Sequence, residues 1–330
     1  MIVVHAPSGA PAGMPLHPVL AAHAVRDDAW RRDAPDDHWL VTRDGVVVAH
    51  ASLWWRHTPS LPGETVGLVG HYAAADADAG ATLLRHAVVT LASRGCTVAI
   101  GPIDGSTWHA YRLVTARGTE PPYFLEPDTP DDWPAHFTVA GFAVLAEYTS
   151  ALVSPIPPSP PGIGEVAARL DQQGYTLRAV DPARATAELD ALYDVSIAAF
   201  AENFLYTPIT RAAFHAQYAA ILPRIDPRLV LLAEHAGVVV GYVFVVPDLL
   251  EQARTGRVST AIVKTLAVHP AHNGRGLGGL LVDRVQRAAA DLGFTRVIHA
   301  LMFASNRSQQ ISRHYGAAFR RYALFSRATP

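Results

Sequence analysis

Apolar and polar positions follow two rhythms along this 330-residue chain, and their order predicts an α/β protein. Short apolar runs bounded by Gly, Pro or Asp predict strands, whereas apolar residues spaced three and four positions apart predict helices. The most informative stretch contains an apolar strand at 262–268, a Gly-rich turn, an amphipathic helix at 280–292 and a second apolar strand at 297–302. The remaining elements are arranged around this strand–turn–helix–strand unit.

Both halves of the chain carry the same order of elements, which predicts an internal duplication at the level of the fold. In the first half the pattern predicts helices at 15–33, 76–93, 104–114 and 131–140, and strands at 39–42, 46–55, 65–72, 97–100 and 143–150. In the second half it predicts helices at 181–200, 210–222 and 280–292, and strands at 175–179, 229–234, 238–246, 262–268, 297–302 and 320–325.

A proline-rich stretch at 155–161 separates the two halves. Repeated prolines exclude a helix and favour a stiff, extended spacer. We therefore expect one domain at 1–153, a linker at 154–164 and a second domain at 165–330.

Glycines 274, 276, 278 and 279 lie between the strand at 262–268 and the helix that follows. Glycine lets the backbone bend sharply and approach a ligand closely, and unpaired N–H groups at a helix N-terminus attract anions. The spacing fits neither a P-loop nor a dinucleotide-binding fingerprint. The turn is therefore predicted to be a phosphate cradle of another kind.

The stretch resembles the GNAT superfamily of acyl-CoA-dependent N-acyltransferases, whose signature is a strand followed by Arg/Gln-x-x-Gly-x-Gly/Ala at a helix start. The resemblance extends over residues 175–328, with Asn273 as a departure where Arg or Gln is usual. The residues that carry it are Leu266, Ala267, Val268, Asn273, Gly274, Arg275, Gly276, Leu277, Gly278, Gly279, Asn306, Ser308 and Gly316.

This resemblance implies a mixed α/β sheet in each of two tandem GNAT-like domains, mostly antiparallel, with a splayed central pair of parallel strands. It also implies acetyl-CoA or another acyl-CoA as co-substrate, and no metal. Backbone groups of 266–268 would bond the pantetheine arm, and the amides of 274–279 would hold the pyrophosphate. Asn306 would meet the pantetheine or the acyl carbonyl, and Ser308 lies beside it in the same stretch.

Both catalytic groups that are usual in the family are absent, since Lys264 stands at the position of its Glu and Ser312 at that of its Tyr. The candidates that remain are His299, with a proton affinity near neutrality, Glu202 beside the expected acceptor pocket, and Tyr315 as a proton donor. Each has a structural alternative: a packed histidine, a solvated surface charge and a packing tyrosine.

The first half lacks the cradle, because Asp76 and Asp78 stand where the second half has glycines. Acidic side chains at this position would repel a pyrophosphate. The first half is therefore predicted to be a degenerate GNAT-like domain that does not bind CoA.

The composition narrows the function further. A net charge of −2 gives no case for nucleic acid or a membrane surface as partner, and Cys96 is the single cysteine, which excludes an intrachain disulfide. The first residues lack the basic and apolar regions of a signal peptide, so a cytoplasmic protein is expected.

The expected function is transfer of an acyl group, acetyl first of all, from CoA to an amine of a small molecule. O-acylation, transfer from the phosphopantetheine arm of a carrier protein, and a non-catalytic CoA-binding sensor or scaffold stay open as alternatives. The sequence leaves open the acceptor, the acyl length and the oligomeric state.

Overall fold

A computed structural model of the chain describes residues 1–7, 14–219, 221, 225–303, 312 and 315–330. Its helices are α1 (Pro18–Ala22), α2 (Asp27–Asp33), α3 (Ala77–Ser93), α4 (Trp133–Val139), α5 (Ile163–Gln172), α6 (Ala185–Phe200), α7 (Arg211–Ala219), α8 (Leu249–Thr255) and α9 (Leu277–Asp291). Its strands are β1 (Ile2–His5), β2 (Asp37–Arg43), β3 (Val46–Trp54), β4 (Val66–Ala74), β5 (Val98–Gly101), β6 (Leu113–Ala116), β7 (Ala143–Val153), β8 (Tyr175–Ala179), β9 (Val230–His235), β10 (Val238–Pro247), β11 (Thr260–Val268), β12 (Arg296–Phe303) and β13 (Ala317–Ala328).

The strands form one continuous sheet in the order β1-β2-β3-β4-β5-β13-β7-β12-β11-β10-β9-β8, with β6 beside β13. Two neighbouring pairs are parallel, β4–β5 in the first half and β11–β12 in the second, and the other pairs are antiparallel. The predicted mixed sheet, with one central parallel pair in each half, is confirmed.

The two halves exchange their last strands. Strand β7 of the first half lies between β12 and β13, with Val153 opposite Val297 and Leu152 opposite Ala317. Strand β13 in turn pairs with β5 of the first half, where Phe325 lies opposite Gly101. Each half of the sheet is therefore completed by a strand from the other half. The sheet hydrogen bonds join strands that precede the proline-rich stretch to strands that follow it.

Both parallel pairs separate after a few residues. Strands β11 and β12 pair only as far as Val263 and His299, although both continue beyond that point. A bulge in the β10–β11 ladder accompanies the separation and leaves Lys264 without an opposite residue. Because a bulge bends a strand and increases its twist, it turns β11 away from β12 and opens a gap between them.

Two predicted helices of the first half are wrong. Residues 15–33 form two short helices, because Asp27 and Asp28 open a new first turn and Arg31 and Arg32 close it, which suits the helix dipole. Residues 104–112 form turns and bends instead of a helix, and β6 begins at Leu113: the Asp104 N–H donates to the Ala110 carbonyl at 2.9 Å.

Helices α5 and α8 were not predicted from the pattern. The helices that matter for the site, α6 and α9, do lie where the pattern places them, and buried apolar side chains face the sheet on each. Among the described residues, no helix has the length and apolar character needed to cross a membrane.

Candidate functional site

The Gly-rich turn leads into α9 in the geometry of an anion site. Gly274 and Gly276 have φ angles of 78° and 87°, in the left-handed region that favours glycine. The first hydrogen bond of the helix runs from the Leu280 N–H to the Gly276 carbonyl at 3.0 Å, so the amides of residues 277–279 precede the helical ladder. The first turn of α9 holds no acidic residue and no side-chain cap. These amides and the helix dipole together can hold a phosphate.

Helix α5 packs against this turn. Arg169 Nη2 donates to the Arg275 carbonyl at 2.9 Å. A Cβ on Gly276 would lie 2.9 Å from Val166 Cγ1, so the close packing of α5 requires glycine at that position as well. Asn273 and Arg275 are exposed at the rim of the turn.

A cavity of about 600 Å³ occupies the gap between β11 and β12 and extends toward the first half. Residues 262–266 and 299–303 form one wall, and the end of α6 with the turn after it forms another. The remaining walls come from residues 107–112 and 123–127 of the first half. The sequence did not predict that the first half contributes to this cavity, since nothing in a local pattern indicates which loops meet across the sheet.

The predicted pantetheine-binding segment lies along this gap. Leu266 lines the cavity. On its other edge β11 pairs with β10, where Ala267 lies opposite Tyr242 and Val268 opposite Gly241. Beyond Val263 the edge of β11 that faces β12 has no ladder partner in the described strands, so backbone groups there can bond an extended ligand. Asn306 and Ser308, the other two predicted cofactor contacts, lie outside the described residues.

His299 lies at the point where β11 and β12 separate and lines the cavity. Its Nδ1 is 2.9 Å from Ser312 Oγ, and its buried Nε2 has no hydrogen-bond partner among the residues that the structure describes. Burial lowers the pKa of His299 to about 4, so the ring is neutral at pH 7. The proton affinity near neutrality that the sequence led us to expect is therefore wrong, because the buried site disfavours the charged ring. Ser312 therefore orients this histidine from the position where the family usually has a tyrosine.

Neither Tyr315 nor Glu202 is among the described residues that line the cavity. The ring of Tyr315 is 6.0 Å from that of His299, centroid to centroid, and burial raises the pKa of Tyr315 to about 12. Its hydroxyl is consequently protonated at neutral pH. Glu202 is exposed on the turn after α6, and its neighbours Asn203 and Phe204 line the cavity, whereas Glu202 is not among the lining residues.

Lys264, at the bulge of β11, projects toward α7 at the cavity wall. Its Nζ donates to the Tyr218 hydroxyl at 3.2 Å and lies 4.6 Å from the centroid of that ring. A lysine here places a positive charge at the position where the family usually has a carboxylate.

The one carboxylate that lines the described part of the cavity, Glu126, comes from the first half and was missed by sequence reasoning. Arg320 Nη1 donates to Glu126 Oε2 at 2.9 Å, both side chains are fully buried, and the Tyr322 hydroxyl donates to Oε1. Burial raises the pKa of Glu126. Because strand β13 brings both partners across from the second half, this group could not be found from spacing in the sequence.

The equivalent region of the first half is already filled by the chain itself. Helix α3 begins as α9 does, but the carboxylate of Asp76 accepts the Ala79 N–H at 2.9 Å and pairs with Arg43 at 2.7 Å. The gap beside β4 is closed as well, since the Ile103 N–H donates to the Val69 carbonyl at 2.9 Å and the His71 N–H donates to Asp104 Oδ1 at 2.6 Å.

Beside this closed gap, Asp33, His71 and Asp104 form a buried cluster with the composition of a metal site. However, both oxygens of Asp33 already accept hydrogen bonds from Arg32, at 2.6 and 3.0 Å, and His71 Nε2 lies 2.9 Å from Oδ2. His109 Nδ1 is 3.0 Å from Oδ1. These donors saturate the carboxylate, so the cluster is best described as a hydrogen-bond network.

Comparison with known proteins gives one family match within the second half of the chain. Residues 189–313 match the sequence model of the acetyltransferase (GNAT) family. A GCN5-related N-acetyltransferase from Sphaerobacter thermophilus is similar over 99% of this chain and 96% of its own, with 15% identity and a TM-score of 0.52. The glucosamine N-acetyltransferase region of a fungal multi-domain β-N-acetylglucosaminidase gives 13% identity and a TM-score of 0.54 over 92% of this chain.

The chain spans 35% of the length of that fungal protein. A tandem GNAT protein from the clavulanic acid biosynthesis pathway is 17% identical, with a TM-score of 0.49 over 94% of this chain and 92% of its own. At these identities the likeness is one of fold. No curated protein sequence matches the chain.

Proposed function

We propose that this protein moves an acyl group from acyl-CoA to the amine of a small molecule, with acetyl as the first candidate. The match of residues 189–313 to the acetyltransferase (GNAT) family, which transfers acyl groups from CoA, supports the proposal. The observation that carries the proposal is the open gap between β11 and β12, which runs from the cradle at α9 to the cavity. The first half has the same strands and helix but closes both features.

In the proposed mechanism the amides of 277–279 hold the pyrophosphate, with Arg275 at the rim, and the edge of β11 at 266–268 holds the pantetheine arm. The acyl thioester then reaches the cavity near His299. The amine nitrogen attacks the thioester carbonyl, and the carbon–sulfur bond breaks as the tetrahedral intermediate collapses.

Two proton transfers accompany this step. His299 is proposed to accept the proton that the amine loses, because it lines the cavity and its buried Nε2 has no hydrogen-bond partner in the described residues. Its pKa of about 4 keeps the ring neutral at pH 7 and also makes it a weak base. Tyr315 is suited to donate a proton to the departing thiolate. Glu202 is retained as a surface group that could collect the proton through water.

O-acylation is the second candidate, and a specific feature favours it. The carboxylate that lines the described part of the cavity, Glu126, is neutralised by Arg320, so no free negative charge there attracts an ammonium group. An acceptor with a hydroxyl or a weakly basic amine fits these walls better than a strongly basic one.

The test is release of free thiol from acetyl-CoA, compared with release from S-acetyl-pantetheine, which lacks the pyrophosphate. Gly279→Glu should weaken acetyl-CoA binding by on the order of a hundredfold, since two lost charge-assisted hydrogen bonds amount to about 3 kcal/mol. A Cβ on Gly279 would meet nothing within 4 Å, so the variant should fold.

The matched control is Ala77→Glu, an exposed residue at the corresponding first turn of α3. This change should leave acetyl-CoA binding unchanged. Equal affinity of the wild type and the folded Gly279→Glu variant would contradict the cradle. Thiol release that is equally efficient from both donors would point to delivery by a carrier arm.

A further inference from the structure

Arg112, in the loop of the first half that lines the cavity, is a buried cation. It is 4% exposed, and its guanidinium carbon lies 3.7 Å from the ring centroid of Tyr111 and 4.1 Å from that of Tyr148. Its Nη1 donates to the carbonyl of Leu301 on β12 at 3.1 Å. The backbone of Arg112 has φ 73°, a left-handed conformation that is unfavourable for arginine.

Nothing in the protein neutralises this charge. No carboxylate of the described residues lies within ion-pair distance of Arg112, and the residues outside that description contain neither Asp nor Glu. The buried Nε of Arg112 also has no acceptor in the described part of the chain. A desolvated cation without a counter-ion is costly, and buried charges in proteins are normally paired.

The charged side chains that line the described part of the cavity without an ion-pair partner are both positive. Lys264 adds a second cation to the wall, and Glu126 is already paired with Arg320 at 2.9 Å. The walls are otherwise rich in aromatic rings, among them Trp108, Tyr148, Phe204 and Phe303. Phe204 and Phe303 stack with an interplanar angle of 10° and their centroids 5.6 Å apart. The cavity is therefore suited to an apolar or aromatic body that bears a negative charge.

We propose that the acceptor of this enzyme carries a carboxylate on an apolar or aromatic body, and that Arg112 of the first half binds that carboxylate. A guanidinium fits a carboxylate in geometry as well as in charge, and the two flanking tyrosine rings hold its plane fixed. On this view the first half, which does not bind CoA, determines acceptor specificity. That the bound carboxylate belongs to an acyl acceptor rests on the proposed function, whereas the anion site at Arg112 does not.

The anion site can be tested without acetyl-CoA. The two probes are benzoate and benzamide, which share size and shape and differ in charge, and binding to the full chain is measured by calorimetry or ligand-observed NMR. We expect benzoate to bind tenfold or more tighter than benzamide, because a hydrogen bond to a charged group contributes about 1.5 kcal/mol or more. Arg112→Met should bring the ratio of the two dissociation constants close to one.

Two further variants keep the test decisive. Arg112→Lys retains charge but loses the planar fork, so it should fold and give an intermediate ratio. Arg31→Met removes one positive charge from an exposed surface position and should leave the ratio at the wild-type value. A wild type that does not prefer benzoate, or a ratio that is undiminished in whichever of the two Arg112 variants folds, would overturn the proposal.

The two proposals can fail separately. A chain that prefers benzoate through Arg112 but releases no thiol from acetyl-CoA with any acceptor would retain the anion site and refute the acyltransferase. Thiol release that proceeds equally with carboxylate-bearing and neutral amines would retain the acyltransferase and refute the anion site.

Discussion

The two halves of this chain have the same strand–helix–strand unit, but in the part of the chain that the structure describes the gap between the parallel strands is open in the second half and filled in the first. The first hydrogen bond of α9 runs from Leu280 to Gly276, and that of α3 runs from Gly80 to Asp76, so the two helix starts correspond position for position. In the second half this turn is glycine and its amides are free to meet an anion. In the first half Asp76 occupies the same place with its own carboxylate.

The difference continues along the strands. Among the described residues, none pairs with β11 across its gap beyond Val263, whereas the gap beside β4 is closed by Ile103 and Asp104. A Cβ on Gly70 would lie 2.1 Å from the Ile103 carbonyl oxygen, which shows how closely the segment packs into the gap. The first half thus has the same sheet, but it has neither the phosphate cradle nor the open gap between its parallel strands. The first half still contributes to the cavity beside β11, because its loops at 107–112 and 123–127 line that cavity.

The largest expected effect comes from separating the two halves. Because β7 and β13 are exchanged, a fragment of residues 1–153 lacks the strand that should lie between β5 and β7, and a fragment of residues 162–330 lacks the strand between β12 and β13. Each fragment alone should fail to give a cooperative thermal transition, since the buried contacts of a whole strand exceed the net stability of a domain, roughly 5–15 kcal/mol.

Co-expression should recover one folded complex, and a full chain cut within 155–161 after folding should keep its size in gel filtration. Independent, cooperative melting of both fragments would contradict the exchange. The same experiment tests whether the boundaries expected from the proline-rich stretch are also boundaries of folding.

The exchange also marks the limit of what the sequence could predict. The Gly-rich turn was predictable because glycine and helix-start signals are local, and the parallel pair was predictable because the resemblance extends over it. An alternating apolar pattern shows that 320–325 is a strand but carries no information about its neighbours. Pairing of β13 with β5 is decided by tertiary packing.

Some residues of the candidate site could likewise be predicted from the sequence, and others could not. His299 was predicted as a candidate from its place in a strand beside the expected gap. Its partner Ser312 and the cavity residues Arg112 and Glu126 were not, because they meet His299 and the gap only through the folded sheet and the strand exchange. Lys264 at the family's Glu position could be seen in the sequence, but its contact with Tyr218 could not.

The second prediction replaces the histidine of the second half with the residue that the first half has. Strands β4 and β5 pair last at Leu68 and Ile100, so Ile100 corresponds to His299. His299→Ile should fold, because an apolar side chain suits this buried position, and should lower kcat by about a hundredfold or more if the ring accepts the amine proton. Ser312→Ala removes only the hydrogen bond that orients the ring, so it should lower kcat by a smaller factor.

The pH dependence provides a separate readout. The pKa of His299 is about 4 when folded and about 6.5 when unfolded, so between these values the unfolded chain binds more protons. The free energy of unfolding therefore falls as the pH drops from 6.5 toward 4. His299→Ile should reduce this slope, and should also remove the acidic limb of the rate profile near pH 4. Unchanged kcat and an unchanged slope would exclude His299 as the proton acceptor.

The smallest expected effect concerns the closed helix start of the first half. Asp76→Ala removes the cap on α3 and should lower the free energy of unfolding by about 1 kcal/mol, the usual contribution of an N-cap side chain. The pair with Arg43 adds little to the free energy of unfolding, because both side chains are about 40% exposed.

To measure binding by the first half alone, Asp76→Ala is combined with Gly279→Glu, which blocks the cradle of the second half. We expect no binding of acetyl-CoA in calorimetry, since Ile103 and Asp104 still fill the gap beside β4. Binding gained by Asp76→Ala in that background would mean that the cap alone had closed an otherwise intact site.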